Sequence, residues 1–263
     1  MKTNALPLIF IEKGNLQTVM KNIQKNYEWV GLPSKGLCYP ENSPLRRGKV
    51  KVAYLTAKDE NIFFSEKHIK EGLICDTLLK TKVKDEDIDT SLLCSGDKEA
   101  IVLWLLKTGY GDSYQIAYTN ETIDLNKIEY KDFNLLSDDN GNFNYYLSNG
   151  KKITFHYLPY KKEETLIKDC VETLKTVEET DVSYIDVYKK ITIPLLLGII
   201  VSVEGVKDIK KWLSKLDFDT LRRFQRYITN NAAGLDMKTT KGLIFDDTVF
   251  YNINIKNESL LWA

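Results

Sequence analysis

The sequence predicts an α+β protein, with a β-containing N-terminal half carrying hairpins and a mainly helical C-terminal half. Three observations carry this. Between residues 132 and 158 apolar residues alternate around two Asn-Gly pairs, Asn140-Gly141 and Asn149-Gly150, the dipeptide that most strongly signals a type I′ hairpin turn. From residue 163 to 228 the apolar positions recur instead at three- and four-residue intervals, as on the buried stripe of a helix. Around residue 50, Lys49-Val50-Lys51-Val52-Ala53-Tyr54-Leu55 alternates like a half-buried strand and runs directly into a helix-start signal.

Taken in order, residues 1–30 read as an N-terminal arm, with a strand-like piece at 6–11 and a short helix at 16–27. Residues 31–160 read as an α+β domain. It opens on Leu32-Pro33-Ser34-Lys35-Gly36-Leu37-Cys38-Tyr39-Pro40. Two prolines remove two N–H donors and fix φ at about −65°, so this stretch is neither helix nor central strand but a rigid, extended loop. Gly36 supplies a place for positive φ. Thr56 and Asp59 have capping-box spacing. Ile62, Ile69, Leu73, Leu78 and Leu79 share a helical face interrupted at Gly72, and the charged run 82–87 reads as a solvated connection.

Asp97 reads as the N-cap of a helix carrying Ile101, Val102, Leu105 and Leu106, stopped at Gly109. The turn Tyr110-Gly111-Asp112-Ser113-Tyr114 follows, then a strand at 116–118, a segment at 123–128 and the paired strands of 132–158. Pro159 closes the β region, and a boundary falls at 159–164. Residues 161–263 read as a mainly helical domain: helices at 163–179, at 185–203 around Pro194, at 206–216, and from the cap Asp217 through Ile228. A strand-like tail occupies 243–245 and 249–255.

At 263 residues the chain accommodates one large domain or two small ones. Lys plus Arg equals Asp plus Glu, 37 each, so no global field draws nucleic acid or an anionic membrane, and little repulsion opposes self-association into a homo-oligomer. Cys38, Cys75, Cys94 and Cys170 form no CxxC pair, which points to reduced, buried thiols rather than a zinc site or disulfide scaffold. The longest apolar run, 191–203, is too short to cross a membrane and contains Pro194 and Gly198. Residues 5–11 are too short for a signal segment.

The residues offer little chemistry. His68 lies in a Lys/Glu-rich helical run and His156 alternates with Phe155 and Tyr157, and neither has a partner motif. Adjacent Asp59 and Glu60 point about 100° apart on a helix and suit a helix N-terminus better than an acid/base pair. Ser34-Lys35-Gly36 lacks the phosphate-loop frame. Arg46, Arg47, Lys49 and Lys51 form the one basic cluster, flanked by Glu41, Asp59 and Glu60 and without interleaved aromatics. It reads as an edge strand guarded by lysine, with a nucleic-acid-binding module as the alternative function. Neither an enzyme, a cofactor nor a metal site is expected.

Several stretches, in this order, resemble one family. Pro33-Ser34-Lys35-Gly36 with Tyr39-Pro40 comes first, then Leu55-Thr56-Ala57-Lys58-Asp59-Glu60, Gly96-Asp97, the apolar 103–106 and Tyr110-Gly111-Asp112-Ser113-Tyr114. The apolar run from Ile193, Glu204-Gly205 and Gly234-Leu235-Asp236 complete the set. It is similar to the baseplate hub assembly proteins of T-even-like contractile-tailed bacteriophages, over residues 32–236. The resemblance implies a non-enzymatic tail protein, either a baseplate hub subunit or a hub/tape-measure assembly chaperone. Such a protein binds other tail proteins in the host cytoplasm during assembly or in the virion baseplate. Some members carry paired cysteines after the Tyr-Gly motif. Here that position reads Gln115-Ile116-Ala117-Tyr118-Thr119-Asn120, so no metal is expected. Partner-binding residues are expected in the proline loop, at Pro33, Ser34, Lys35, Gly36, Tyr39 and Pro40, with Tyr39 as aromatic anchor, and in the later turn, at Tyr110 and Tyr114.

Overall fold

A computed structural model of the chain describes residues 26–115, 122–177 and 184–236. The strand and helix expected within 1–25, the strand at 116–118 and the tail strands beyond 236 lie outside the described residues. Within them the architecture is α+β: eight α-helices and three small antiparallel sheets.

Strand β1 (Tyr27–Gly31) pairs with β2 (Lys49–Ala53) in a two-stranded ribbon, Trp29 opposite Lys51 and Val30 opposite Val50. Residues 27–30, read with the N-terminal arm, are thus part of a sheet. One ribbon face buries Val30, Val50 and Val52; the other turns Tyr27, Trp29, Lys49 and Lys51 outward, the two-sided pattern of a sheet with one wet face.

The expected helical face over 62–79 is three short helices: α1 (Glu60–Phe63), α2 (Glu66–Glu71) and α3 (Ile74–Lys82). The second break is Gly72 at φ 64. The capping-box spacing is realised, since Thr56 N–H and its hydroxyl both donate to Asp59 Oδ2, at 2.6 and 2.8 Å.

The charged connection 82–87 is not simply solvated. Lys82 and Asp85 are buried. Lys82 pairs with Asp59, and Asp85 with Arg47 at 2.8 Å. A charge run faces water by default and turns inward only where ion partners elsewhere in the fold compensate its lost hydration. These counterions come from residues far back in the chain.

Helix α4 (Ser95–Tyr110) is the central element. Ala100, Ile101, Val102, Leu103, Leu105 and Leu106 are all buried, so it is apolar around most of its circumference, as a core helix must be. It starts two residues before the expected Asp97 cap, with Cys94 at the cap, because Cys94 is held by a β-bridge to Pro159. It also runs through Gly109, where a Cβ would strike the Leu55 side chain, and stops at Gly111, φ 91.

After the small pair β3 (Ser113–Gln115) and β4 (Thr122–Asp124) comes the three-stranded sheet. Strand β5 (Phe143–Tyr146) pairs with β6 (Lys152–Phe155) as expected. The connection is not a type I′ turn. Only Gly150 has positive φ, at 80, and Leu147 N–H donates to Lys151 O across the three residues between. The earlier Asn140-Gly141 is a loop turn closed by Asp138, not a hairpin.

Helices α5 (Tyr160–Val177) and α6 (Tyr184–Ile199) pack together. The expectation that the second helix continues to Val203 is corrected: Ile200–Val203 is strand β7, adding to β6. Past Gly198 the β-branched run Ile199-Ile200-Val201 favours strand, and β6 presents an edge to it. Helices α7 (Ile209–Lys215) and α8 (Phe218–Asn231) complete the chain, each started by an aspartate, Asp208 and Asp217, accepting a backbone N–H at 2.9 and 2.8 Å. One core cluster joins Val30, Val50, Ile101 and Phe143 to Leu196, Val203, Phe224 and Ile228, spanning the expected boundary at 159–164. Among the described residues no helix is long and apolar enough to cross a membrane. All four cysteines are buried, and none is in a disulfide among the described residues.

Candidate functional site

The N-terminus of α4 is where distant parts of the chain meet. The proline loop is not extended. It is a run of tight turns folded over this helix end, with Lys35 N–H donating to Leu32 O, Leu37 N–H to Ser34 O and Tyr39 N–H to Gly36 O. Lys35 (φ 54) and Gly36 (φ 81) reverse the chain in the left-handed region. A Cβ on Gly36 would be driven into the Arg46 carbonyl, so only glycine allows that approach.

Asp97 gathers the loop. Its carboxylate accepts from Ser34 N–H at 2.9 Å, Ser34 Oγ at 2.5 Å and Tyr39 Oη at 2.6 Å. Ser34 Oγ in turn accepts from Gly36 N–H, and Tyr39 Oη from Cys94 N–H at 3.0 Å. Burial raises the Asp97 carboxyl above the usual range, against the pull of the Ser34 and Tyr39 bonds. Arg46, assigned from sequence to the basic cluster, instead clips the loop from outside through Leu37 O, Tyr39 O and Ser137 Oγ.

The expected partner-binding residues therefore divide. Ser34, Gly36 and Tyr39 are buried, Tyr39 at 5 % exposure. Tyr39 anchors the loop to its own helix. Pro33 is half-buried, while Lys35 and Pro40 are exposed. Tyr110, 52 % exposed, sits edge-on against Phe63. It lies thirteen residues along α4 from Asp97, about 20 Å at 1.5 Å per residue, so loop and turn are not one surface. Tyr114 falls on β3; its side chain lies outside the described residues.

Beneath the loop is a cavity of about 130 Å³. Its walls are largely hydrocarbon, from Leu158, Leu166, Leu195, Ile199, Ile228 and Leu235, with the Cys38 and Cys94 thiols on the loop side. Glu99, Glu163 and Lys131 also line it. Gly96 packs so closely on Ala233 and Gly234 that a Cβ there would enter the Ala233 carbonyl. That contact closes one wall and brings Leu235 N–H to Glu99 Oε2 at 3.4 Å. Ser95 Oγ donates to the Glu163 carboxylate. Glu99 keeps part of its surface accessible although it lies deep in the fold, because that surface faces the cavity. Burial pushes its carboxyl up to about 7, and burial likewise raises Glu163.

The histidines form no such centre. His156 Nε2 lies 3.2 Å from Gly198 O, and His68 Nδ1 is buried with no hydrogen-bond partner among the described residues. Among these residues no group of three His, Cys, Asp or Glu is placed to hold a metal ion.

The second notable surface is the outer ribbon face. Trp29 is 46 % exposed and Tyr27 is 38 % exposed. Arg47, Lys49 and Lys51 lie over the Trp29 ring at 5.4, 5.0 and 5.1 Å, within cation–π range. The basic cluster does have aromatic neighbours, supplied by the paired strand. The alternation Tyr27-Glu28-Trp29-Val30 was the available signal, hidden by reading residue 27 as the end of a helix. For the cavity carboxylates no sequence signal existed, since Glu99 and Glu163 sit at unremarkable helical positions. Comparison with family models, with curated proteins and with solved structures finds no match to any of them.

Proposed function

We propose that this chain is a non-catalytic protein of a contractile phage tail, a baseplate hub subunit or a hub/tape-measure assembly factor, that acts by binding other tail proteins. The observation that carries this reading is the convergence of three of the stretches behind the resemblance. Pro33-Ser34-Lys35-Gly36, Tyr39, Gly96-Asp97 and Gly234-Leu235 lie up to two hundred positions apart in the chain, yet meet around the start of α4 through the Asp97 hydrogen bonds, the Gly96 contact and the Leu235–Glu99 bond. Stretches that need one another physically form a unit, and these three support kinship with the family in which that order recurs. The binding surface best suited to a partner is the Tyr27–Trp29 ribbon face, because exposed aromatics flanked by cations are what interface hot spots are built from. Lys35 and Pro40 stand exposed on the loop and extend the candidate surface.

The test is capture of tagged protein from phage-infected cells, with mass spectrometry of purified virions. Known tail proteins in the capture and the chain in virions would define a hub subunit; tail proteins without the chain in virions, an assembly factor. Recovery of neither overturns the reading.

Nucleic-acid binding is the second reading, favoured by the Trp29–Lys49 juxtaposition. Against it, Arg47 and Lys51 are partly neutralised by Asp85 at 2.8 and 3.9 Å, and cations already lie over the Trp29 ring on which a base would stack. A fluorescence titration with single-stranded DNA separates the two, since phosphate binding weakens steeply with salt.

A further inference from the structure

The cavity at the start of α4 combines features that fit one kind of ligand. Its walls are mostly apolar, yet two carboxylates and one ammonium line it, Glu99 and Glu163 against Lys131. Each carboxylate is used once: Glu99 Oε2 by Leu235 N–H and Glu163 Oε2 by Ser95 Oγ. Among the described residues the second oxygen of each has no hydrogen-bond partner. Lys131 donates to Thr229 O at 3.4 Å and forms no ion pair there with either glutamate. When both glutamates are ionised, two negative charges face one lining ammonium, and Lys98, the other cation acting on them, is already paired with Glu164 at 2.9 Å; the excess negative charge is unfavourable in a low-dielectric site. An anion is repelled; a neutral apolar ligand leaves the excess charge in place.

We propose that this cavity binds a primary ammonium group on a short apolar stem, with the ammonium on the free oxygens of Glu99 and Glu163 and the stem against Leu166, Leu195 and Ile228. An ammonium brings three donors and no acceptor, and its methylenes suit the hydrocarbon wall. At 130 Å³ the space approaches the roughly 150 Å³ cavity known to hold benzene, enough for a butylammonium ion or the end of a lysine side chain. The ligand is thus either a free alkylamine or a lysine of a partner protein. The proposal stands whether or not the protein belongs to a phage tail.

A pH signature follows. Burial raises the Glu99 carboxyl to about 7, opposed by the Leu235 N–H, Lys98 and Lys131 and reinforced by Glu163; Tyr130 also faces it. A bound cation favours the ionised carboxylate, so binding below neutrality expels a proton. Affinity for an ammonium that stays protonated is about tenfold weaker at pH 6 than at pH 8.

The experiment is calorimetric titration of the full chain with n-butylammonium, with n-butanol as the uncharged shape-match, and with an end-blocked Gly-Lys-Gly peptide. Butylammonium is expected to bind at least about tenfold more tightly than butanol, with the stated pH dependence. The Glu99→Gln/Glu163→Gln double variant, checked for fold by circular dichroism, is expected to lose that preference. Peptide binding as tight as butylammonium assigns the site to a partner lysine; butylammonium binding alone assigns it to a free amine. Equal affinity for amine and alcohol, or no binding of either amine, overturns the proposal. If the double variant does not fold, the wild-type pH series decides, and a pH-independent affinity overturns it.

Discussion

Tyr39 donates its phenolic hydrogen to Asp97 Oδ2 over 2.6 Å while accepting the Cys94 N–H at 3.0 Å, and so fastens the proline loop to the start of the central helix. Tyr39→Phe keeps the ring and removes both bonds. Leaving a buried carboxylate and N–H each short of a partner costs about 2–4 kcal/mol, read as a lowered urea midpoint at unchanged slope. A midpoint within error of wild type would show that the loop is held by packing alone.

Gly96 touches the Ala233–Gly234 backbone, with no room for a Cβ. In Gly96→Ala one backbone must move, so the 232–235 segment separates from α4 and the cavity wall opens. The expected result is a loss of at least about 2 kcal/mol, the scale of overpacking a tight core, with faster amide exchange at Leu235. Gly150→Ala, with nothing within 4 Å of the new methyl but φ 80, is expected to cost only about 1 kcal/mol.

The Glu99 carboxyl, raised by burial to about 7 from an ordinary 4.5, makes stability depend on pH. The folded chain binds more protons than the unfolded chain between these values. Its contribution is therefore fully present below pH 4.5 and is lost as pH rises through 7, by on the order of 3 kcal/mol. Comparing wild type with Glu99→Gln in denaturant series at pH 5 and pH 8 isolates it. The variant should lose much less stability over that interval; an equal loss would mean that Glu99 titrates normally.

Lys82 and Asp59 form an ion pair in which both side chains are about nine-tenths covered, and Lys82 also donates to Tyr54 O at 3.0 Å. Removing one partner strands the other. Lys82→Met is expected to destabilise by about 3–5 kcal/mol, and the double change Lys82→Met/Asp59→Leu to recover part of it. A fully additive double variant would refute the pairing.

The order of elements could be read from sequence wherever a local period or cap carried it: the 143–146/152–155 pair, the Thr56–Asp59 box, the Asp217 cap and the amphipathic α5 and α8. What escaped depended on distant partners. Ile200–Val203 reads as helix until β6 offers it an edge. Lys82 and Asp85 read as solvated until Asp59 and Arg47 arrive. Tyr39 reads as an exposed anchor because nothing local reveals Asp97, 58 positions away. The cavity is closed by helices α4, α5, α6 and α8 together with the proline loop and the segments around Lys131, Tyr157 and Leu235, so no single stretch contains it.

The assignment of Tyr39 to the interior and Trp29 to the docking face is tested most directly by one paired measurement: thermal midpoint and tail-protein capture from infected cells, for Tyr39→Ala and Trp29→Ala. Tyr39→Ala should lower the midpoint markedly, whereas Trp29→Ala should leave it within a few degrees of wild type and abolish capture. Capture undiminished in a stable Trp29→Ala protein, or lost in a Tyr39→Ala protein whose midpoint is unchanged, would contradict that assignment.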